Sequence, residues 1–585
     1  MFVDRKAIHN TTLQEMKKYS LLLILTILIC PTLMQAQDNN WITDSPKREM
    51  RAVWLTTFNS LDWPKNKART AEGILAQQKE FCEILDRLKA ININTVLLQT
   101  RVRGTTIYPS DIEPWDDCLT GAQNRNPGYD PLKFAIEQCH ARGMELHAWL
   151  VTIPCFKTNA AQAQNKKSVL KTHHNLCVKH EGTWYLNPGQ PGTADYLASI
   201  CREIATHYDV DGIHFDYIRY PENAARFNDN ATYRKYGKGK SKAQWRRDNI
   251  THCVSEMYHT IKAIKPWIKV SSSPIGKYND LSRYPSYGWN AYAAVYQDAQ
   301  AWLKDGIHDM LFPMMYFQGN HFYPFALDWK ENDYGKTVAP GLGIYFLSPK
   351  EKNWDLDVIS RELYFIRDIG LQGQAYFRYA FLDANHKGLY DFLKDFYYPY
   401  PALTPVCQST DQKAPEMPLD LKREIKANNA MLTWKASQDD SGQVRYNVYA
   451  SKDYPVDITK AKNLIAVNLD TCVYIYNGIY AELNGLNFAI TAIDRSGNES
   501  DAAQLHAFET VYIDGRLLPH ANNQLLLPLM SPQPEFIILT DSEGRIVRTM
   551  PYARNITTQG LAGGYYQVRT LEKKGKSLRI GNFIK

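Results

Sequence analysis

Between residues 48 and 400, short apolar runs alternate with longer stretches whose apolar positions recur every three or four residues. The short runs, rich in Val, Ile, Leu and aromatic residues, predict strands over 51–57, 94–102, 144–152, 212–219, 268–274, 310–317, 338–345 and 374–379. The longer stretches predict amphipathic helices over 77–89, 131–142, 193–207, 245–264, 291–305 and 358–369. Eight strands alternating with helices is the count of a (β/α)8 TIM barrel, an α/β fold. An open doubly wound sheet is the competitor, but no G-x-G-x-x-G turn follows the first strand, which weakens its dinucleotide-binding form.

The connections are uneven. Long segments follow strands two to five, over 104–129, 154–187, 221–244 and 276–289. In a barrel such segments build the active face at the C-terminal ends of the strands. The run Asp209-Val-Asp-Gly-Ile-His-Phe-Asp-Tyr-Ile-Arg-Tyr-Pro221 ends there. Alternation along it puts His214 and Asp216 on one face and Ile213, Phe215 and Tyr217 on the other. A carboxylate at the end of an apolar strand costs free energy unless it is paired or does chemistry. Asp216 is therefore the first catalytic candidate, and an ion pair with Arg219 is its structural alternative.

After the barrel region, 48–403, the proline-rich stretch 404–418 reads as a linker. Short alternating strands follow at 430–434, 445–450, 472–476 and 487–493, the pattern of a small all-β sandwich. Residues 419–510 resemble a fibronectin type III domain, on Trp434 and on Phe488 to Ser500, with Phe488 where a tyrosine is usual. The last stretch, 511–585, is also β-patterned. Its Phe536-Ile-Ile-Leu-Thr-Asp-Ser-Glu-Gly-Arg-Ile-Val547 and Gly560-Leu-Ala-Gly-Gly-Tyr-Tyr-Gln-Val568 resemble the C-terminal sorting domains of Bacteroidota secreted proteins.

Residues 1–37 carry a secretory-signal pattern. Lys17 and Lys18 precede an apolar core from Leu21 to Ile29, and Met34-Gln-Ala-Gln37 is a cleavage region, with Met16 a candidate start. Ile29 and Pro31 flanking Cys30 argue against lipidation. No other stretch is apolar enough for a membrane helix, so an exported protein is expected, periplasmic, cell-surface or secreted. A net charge of +7 spread along 585 residues, without a basic run, argues against nucleic acid. The cysteines form no C-x-x-C pair, and Cys82, Cys139, Cys201 and Cys253 sit in helical patterns as buried thiols. No H-E-x-x-H, EF-hand loop, P-loop or G-x-S-x-G elbow appears, so no metal or cofactor is expected. His173-His174 stand alone.

The ordered motifs Arg51-Ala-Val-Trp-Leu-Thr-Thr57, Asp62-Trp-Pro64, Tyr108-Pro-Ser110, Glu113-Pro-Trp115, Pro127-Gly-Tyr-Asp-Pro131, Trp184-Tyr-Leu-Asn-Pro188 and Asp211-Gly-Ile-His-Phe-Asp-Tyr217 resemble the glycosyl-hydrolase-like 10 family, formerly unknown-function domain 187. The resemblance covers about residues 48–370 and implies a TIM barrel and glycoside hydrolysis. Bacterial cell-wall glycan (peptidoglycan) or another polysaccharide is the implied substrate. Glycoside hydrolysis uses two carboxyl groups across the scissile bond. On the predicted active face these are Asp216, as nucleophile or base, and Glu113, as acid, its carboxyl set beside Trp115. Asp111 and Asp62 are the reserves, and Asp211, at the strand's beginning, is structural.

Gln99, Arg101 and Arg103 are expected to share one face of strand two, the arginines gripping substrate oxygens or a carboxylate. His147 and His214 are the candidates to hydrogen-bond sugar hydroxyls. Trp54, Trp63, Trp115, Trp149, Tyr217, Tyr316 and Tyr345 are the candidates to stack on sugar rings. Two other classes remain open. One is a carbohydrate-binding protein on a catalytically silent barrel, the other a metal-dependent carbohydrate deacetylase, for which the ligand spacing is missing.

Overall fold

The computed structural model describes residues 45–585 apart from 285–287, 408, 410, 427–428, 478–485, 506–516, 529, 531–532 and 572–576. The signal pattern at residues 1–37 lies outside these. Eight parallel strands form the barrel: β1 (Met50–Leu55), β2 (Thr95–Arg101), β3 (Glu145–Val151), β4 (Gly212–Asp216), β5 (Lys269–Ser272), β6 (Met310–Leu311), β7 (Thr337–Val338 and Gly341–Leu342) and β8 (Gly373–Tyr376). β1 pairs with both β2 and β8. The first piece of β7 pairs with β6 and the second with β8, and Met314 bridges Gly341. The sheet therefore closes on itself. β7 is split because Pro340 has no N–H for the ladder.

Side chains alternate as a closed sheet requires. Val53, Leu55, Val96, Leu98, Ile213 and Phe215 face the helices, whereas Ala52, Trp54, Leu97, Trp149 and Val151 fill the interior with Met310 and Phe312. The helix layer includes α1 (Ala71–Ala90), α2 (Pro131–His140), α3 (Thr193–His207), α4 (Lys242–Ile264), α5 (Ala299–Lys304), α6 (Tyr323–Glu331) and α7 (Leu356–Asp368). Thr70, Asp130 and Ser241 cap three of them by accepting from backbone N–H groups of the first turn. The expected helix over 291–305 is two pieces, Ala291–Ala294 and α5, because Tyr296 turns the chain at φ +63°. The expected strand over 212–219 stops at Asp216, where Tyr217 takes φ +51°. Cys139, Cys201 and Cys253 are buried free thiols; Cys82 is half-buried.

Beyond the linker stand two facing sheets. One orders Leu419–Lys426, Asn429–Lys435 and Val473–Asn477; the other orders Leu464–Leu469, Arg445–Ser451, Asn487–Ile493 and Ala503–Leu505. Leu432, Trp434, Val448, Phe488 and Ile490 fill the space between them. A further four-stranded sheet, ordered Ile546–Pro551, Phe536–Thr540, Tyr565–Leu571 and Ser577–Ile584, carries its own core of Leu539, Val568 and Phe583.

The first of these β-units is fastened to the N-terminal end of the barrel. Asp211, just before β4, accepts from His140 (2.7 Å) and the Leu146 N–H (2.9 Å) and faces Arg445 (3.5 Å) and Arg495 (3.7 Å). Against the burial that would raise it, these cations hold its carboxyl well below the usual range. Glu499 pairs with Lys47 at 2.6 Å. Gly143, at φ +71°, lets the α2–β3 turn meet the sandwich, since a Cβ there would lie 2.5 Å from the Val467 carbonyl oxygen. Asp211 is thus structural, at the end of the barrel opposite the mouth.

Candidate active site

Asp216 ends β4, and the left-handed turn at Tyr217 folds the next N–H back onto its own carboxylate, at 2.7 Å from Oδ1. The Ser273 hydroxyl, just past β5, donates to the same oxygen at 2.9 Å. The Trp149 indole N–H, from β3, donates to Oδ2 at 3.0 Å. Three neighbouring strands thus fix one carboxyl group. Only 6% of Asp216 is exposed, and burial pushes its pKa up, while Ser273, the Tyr217 N–H, Arg219 and Trp149 oppose the shift. The ion pair with Arg219 does not form; Arg219 donates to Glu222 at 2.9 Å.

The mouth above Asp216 is aromatic and charged. The Tyr217 ring lies between two guanidiniums, Arg219 at 4.7 Å and Arg103 at 5.8 Å, and Arg103 also covers Phe58 at 5.1 Å. Tyr316 stacks on Phe377 at 5.4 Å and meets Tyr345 edge-on at 5.8 Å. Burial, and then the Asp216 charge, raise the Tyr316 pKa well above the ordinary phenol range. A cavity of about 350 Å³ opens at Arg103, lined also by Phe58, Asp116, Phe156, Lys157 and Asn159.

Glu222 is a second carboxyl at the mouth, its side chain 59% exposed. Burial would raise its pKa, but Arg219, its own backbone N–H and Arg103 together outweigh that and lower it. Asp116, inside the cavity, is buried and its pKa is raised by that burial; it accepts from Thr105 (2.6 Å) and the Cys118 N–H (2.9 Å).

The structure corrects the expectation for Glu113. Its side chain is fully buried, accepting two hydrogen bonds from Arg101 (2.7 and 2.6 Å) and one from Tyr196 (2.8 Å). Arg101 is corrected with it, being buried and donating also to the Val151 and Thr152 carbonyls. The cause is a bulge: the β2–β3 register shifts between Gln99 and Arg101, which sends Arg101 into the helix layer against α3. Gln99 stays inside and accepts from the Thr57 and Phe58 N–H groups. Arg103 alone of the three reaches the opening.

The histidines are also corrected. His214 is buried between the Trp54 indole (3.3 Å) and Ser271 (3.0 Å), and burial lowers its pKa well below the ordinary value, leaving it neutral. His147 is buried against Glu145 at 3.1 Å, with Gly212 so close that a Cβ would lie 2.5 Å from its ring. Trp54 and Trp63 are interior, Trp63 donating to the Gln77 carbonyl. Trp149 is interior too, and acts on Asp216 rather than on a sugar. Trp115 lines a separate surface groove of about 440 Å³ with Asp111, Lys167, Glu203 and Tyr208. Of the reserves, Asp62 is paired with Arg378 and accepts from the Thr56 and Ala380 N–H groups, and Asp111 is exposed near Lys167.

Of the expected site, the structure brings together Asp216, Trp149, Arg103, Tyr217, Tyr316 and Tyr345. It adds Ser273, Phe58, Phe377, Arg219 and Glu222. Ser273 lies two residues beyond the inward-facing Ser271, and that alternation was the signal for it.

A closed parallel barrel with a carboxyl group held at the C-terminal ends of its strands, ringed by aromatic and charged groups, is the architecture of a glycoside hydrolase. The model of the family described as glycosyl hydrolase-like 10 matches residues 49–348, and the chain belongs to that family. Among curated proteins it is similar to glycosyl hydrolase DigH of Escherichia coli (strain K12), 37% identical over 294 residues, which cover 47% of this chain and 67% of DigH. It is also similar to glycosyl hydrolase YngK of Bacillus subtilis (strain 168), 29% identical over 481 residues, 78% of this chain and 93% of YngK. Among solved structures, the PgaB (BpsB) glycoside hydrolase domain from Bordetella bronchiseptica aligns with a TM-score of 0.39 at 14% identity, covering 59% of this chain and 98% of that one. Among the described residues no helix is long and apolar enough to cross a membrane.

Proposed function

We propose that this protein is an exported hydrolase of glycosidic bonds in bacterial cell-wall glycan or a related polysaccharide, with Asp216 as a catalytic carboxyl group. The observation that carries the reading is the three-strand clamp of Trp149, Ser273 and the Tyr217 N–H on Asp216 at the barrel mouth. Asp216 was expected as nucleophile or base, but its raised pKa suits it instead to donating a proton to the leaving oxygen. Glu222, kept ionised by Arg219, is the partner that acts from the solvent side as base or nucleophile. Family membership, the leader pattern and the fibronectin-type and sorting-type resemblances support an extracytoplasmic glycan, with the β-domains positioning the barrel.

The test is digestion of purified peptidoglycan, with and without its peptides, and of a polysaccharide panel, read by product mass. Glu222→Gln should cut activity by about a hundredfold or more. Glu113→Gln should act through stability alone.

Two observations favour a second reading, a carbohydrate-binding protein on a silent barrel: Asp216 is only 6% exposed, and Glu113 is sequestered by Arg101. That reading predicts sugar affinity unchanged in Asp216→Asn and no reducing ends released by the wild type.

A further inference from the structure

Trp289 stands apart from the other tryptophans. Trp54, Trp63, Trp149, Trp245, Trp302 and Trp329 are buried, whereas Trp289 is 42% exposed and is the tryptophan among the exposed large apolar residues of the described chain. It closes the long segment after β5, which the sequence marked as part of the active face. Its ring lies 5.3 Å from the Arg219 guanidinium, and the same guanidinium lies 4.7 Å from the Tyr217 ring. Tyr217 in turn donates its N–H to Asp216. Trp289 is therefore one guanidinium removed from the residue that follows the catalytic carboxyl.

The groups behind the indole are buried and hydrogen-bonded. Arg219 is buried and tied to Glu222 at 2.9 Å. On the chain, Asn290 and Ala291 directly after Trp289 are buried; the Asn290 side chain caps the short helix Ala291–Ala294 through the Ala293 N–H (2.8 Å). The Ala291 and Tyr292 N–H groups donate to the Lys277 and Tyr278 carbonyls, each at 2.9 Å. A large apolar ring left half in water on a buried, hydrogen-bonded base gains little for the fold and presents a ready surface for a partner.

We infer that Trp289 is a sugar-binding subsite, stacking on the apolar C–H face of a pyranose ring away from the bond that is cut. A pyranose offers such a face, and an indole is the side chain that covers most of it. The cavity at Arg103, Phe58 and Phe156 lies towards the ends of β1 to β3, whereas Trp289 belongs to the segment after β5. A glycan chain held at both places passes over Asp216 between them. The inference rests on the proposed glycan substrate, and it makes Trp289 a residue that recognises chain length.

The test uses the full chain carrying Asp216→Asn, so that binding is read without cleavage. Tryptophan emission is followed on addition of hexasaccharides and disaccharides of the alternating N-acetylglucosamine and N-acetylmuramic acid cell-wall glycan, and of β-1,4-linked N-acetylglucosamine, glucose and mannose. The expected result is a blue shift and protection from acrylamide quenching with at least one hexasaccharide, both lost in Trp289→Ala. Affinity for that hexasaccharide falls about tenfold in Trp289→Ala and recovers most of the way in Trp289→Tyr, while disaccharide affinity does not change. In the parent chain, Trp289→Ala raises KM on long substrates more than it changes kcat. Equal hexasaccharide affinity with and without the indole, or no emission response to any hexasaccharide, overturns the inference. If Trp289-dependent binding holds but the parent cleaves nothing, the hydrolase reading fails and the subsite stands. If the parent cleaves and Trp289→Ala is silent, the reverse is true.

Discussion

At the scale of single residues, the site is governed by what each side chain hydrogen-bonds. Trp149 donates to Asp216 and so favours its ionised form. Trp149→Phe removes that donor and raises the Asp216 pKa further. If Asp216 is the proton donor, the alkaline limb of the pH–rate profile moves to higher pH in this variant, with kcat at the optimum lower; a limb that stays or moves down contradicts the assignment. Arg101 and Glu113 differ in kind, being a buried pair with no solvent to screen it. Breaking it from one side strands a charge, so Glu113→Gln or Arg101→Met should cost about 3–5 kcal/mol in chemical denaturation. Replacing both by apolar residues of similar volume should cost much less.

At the scale of elements, α7 carries an unusual residue. Glu362 is buried with Ile359, Leu363 and Ile366, and neither carboxyl oxygen has a hydrogen-bond partner among the described residues. Burial raises its pKa well above the ordinary carboxylate range. The raised folded-state value means that wild-type stability is fully present below the unfolded pKa and is lost as pH rises through the folded one. Glu362→Met should therefore stabilise the barrel by about 1–3 kcal/mol at neutral pH, the gain shrinking on acidification, as thermal unfolding across pH would show. Elements of this kind also show what was legible beforehand. The eight strands could be read because apolar runs of the right length recur between amphipathic helices, and His214 and Asp216 fall inward as period-two alternation demands. Alternation failed at β2, where one extra residue in the ladder reversed Arg101. Such a bulge has no local signature in Gln99-Thr-Arg101. Helix α6 escaped because it is only nine residues long, with Pro324 in its first turn, and Phe325, Ala326 and Leu327 stand side by side and blur its period. Trp289 could not be told from a core tryptophan, since exposure is a property of the folded chain.

At the scale of the whole molecule, two ends of one barrel do different work. The N-terminal end is locked to the sandwich through Asp211, Arg445, Arg495, Glu499 and Lys47, and the C-terminal end holds Asp216. The Asp211 pKa is depressed, so its contribution is present above the ordinary carboxylate range and lost as pH falls through the folded-state value. Asp211→Asn should destabilise the chain by about 3 kcal/mol at neutral pH, less under acid, without changing the chemistry at the mouth. Wild type and Asp216→Asn, matched for melting temperature, are incubated with purified glycan, and new reducing ends are counted against time. Steady release by the wild type is expected, with release at least about a thousandfold slower by Asp216→Asn; equal rates from the two proteins, or none from the wild type, would contradict hydrolysis at Asp216.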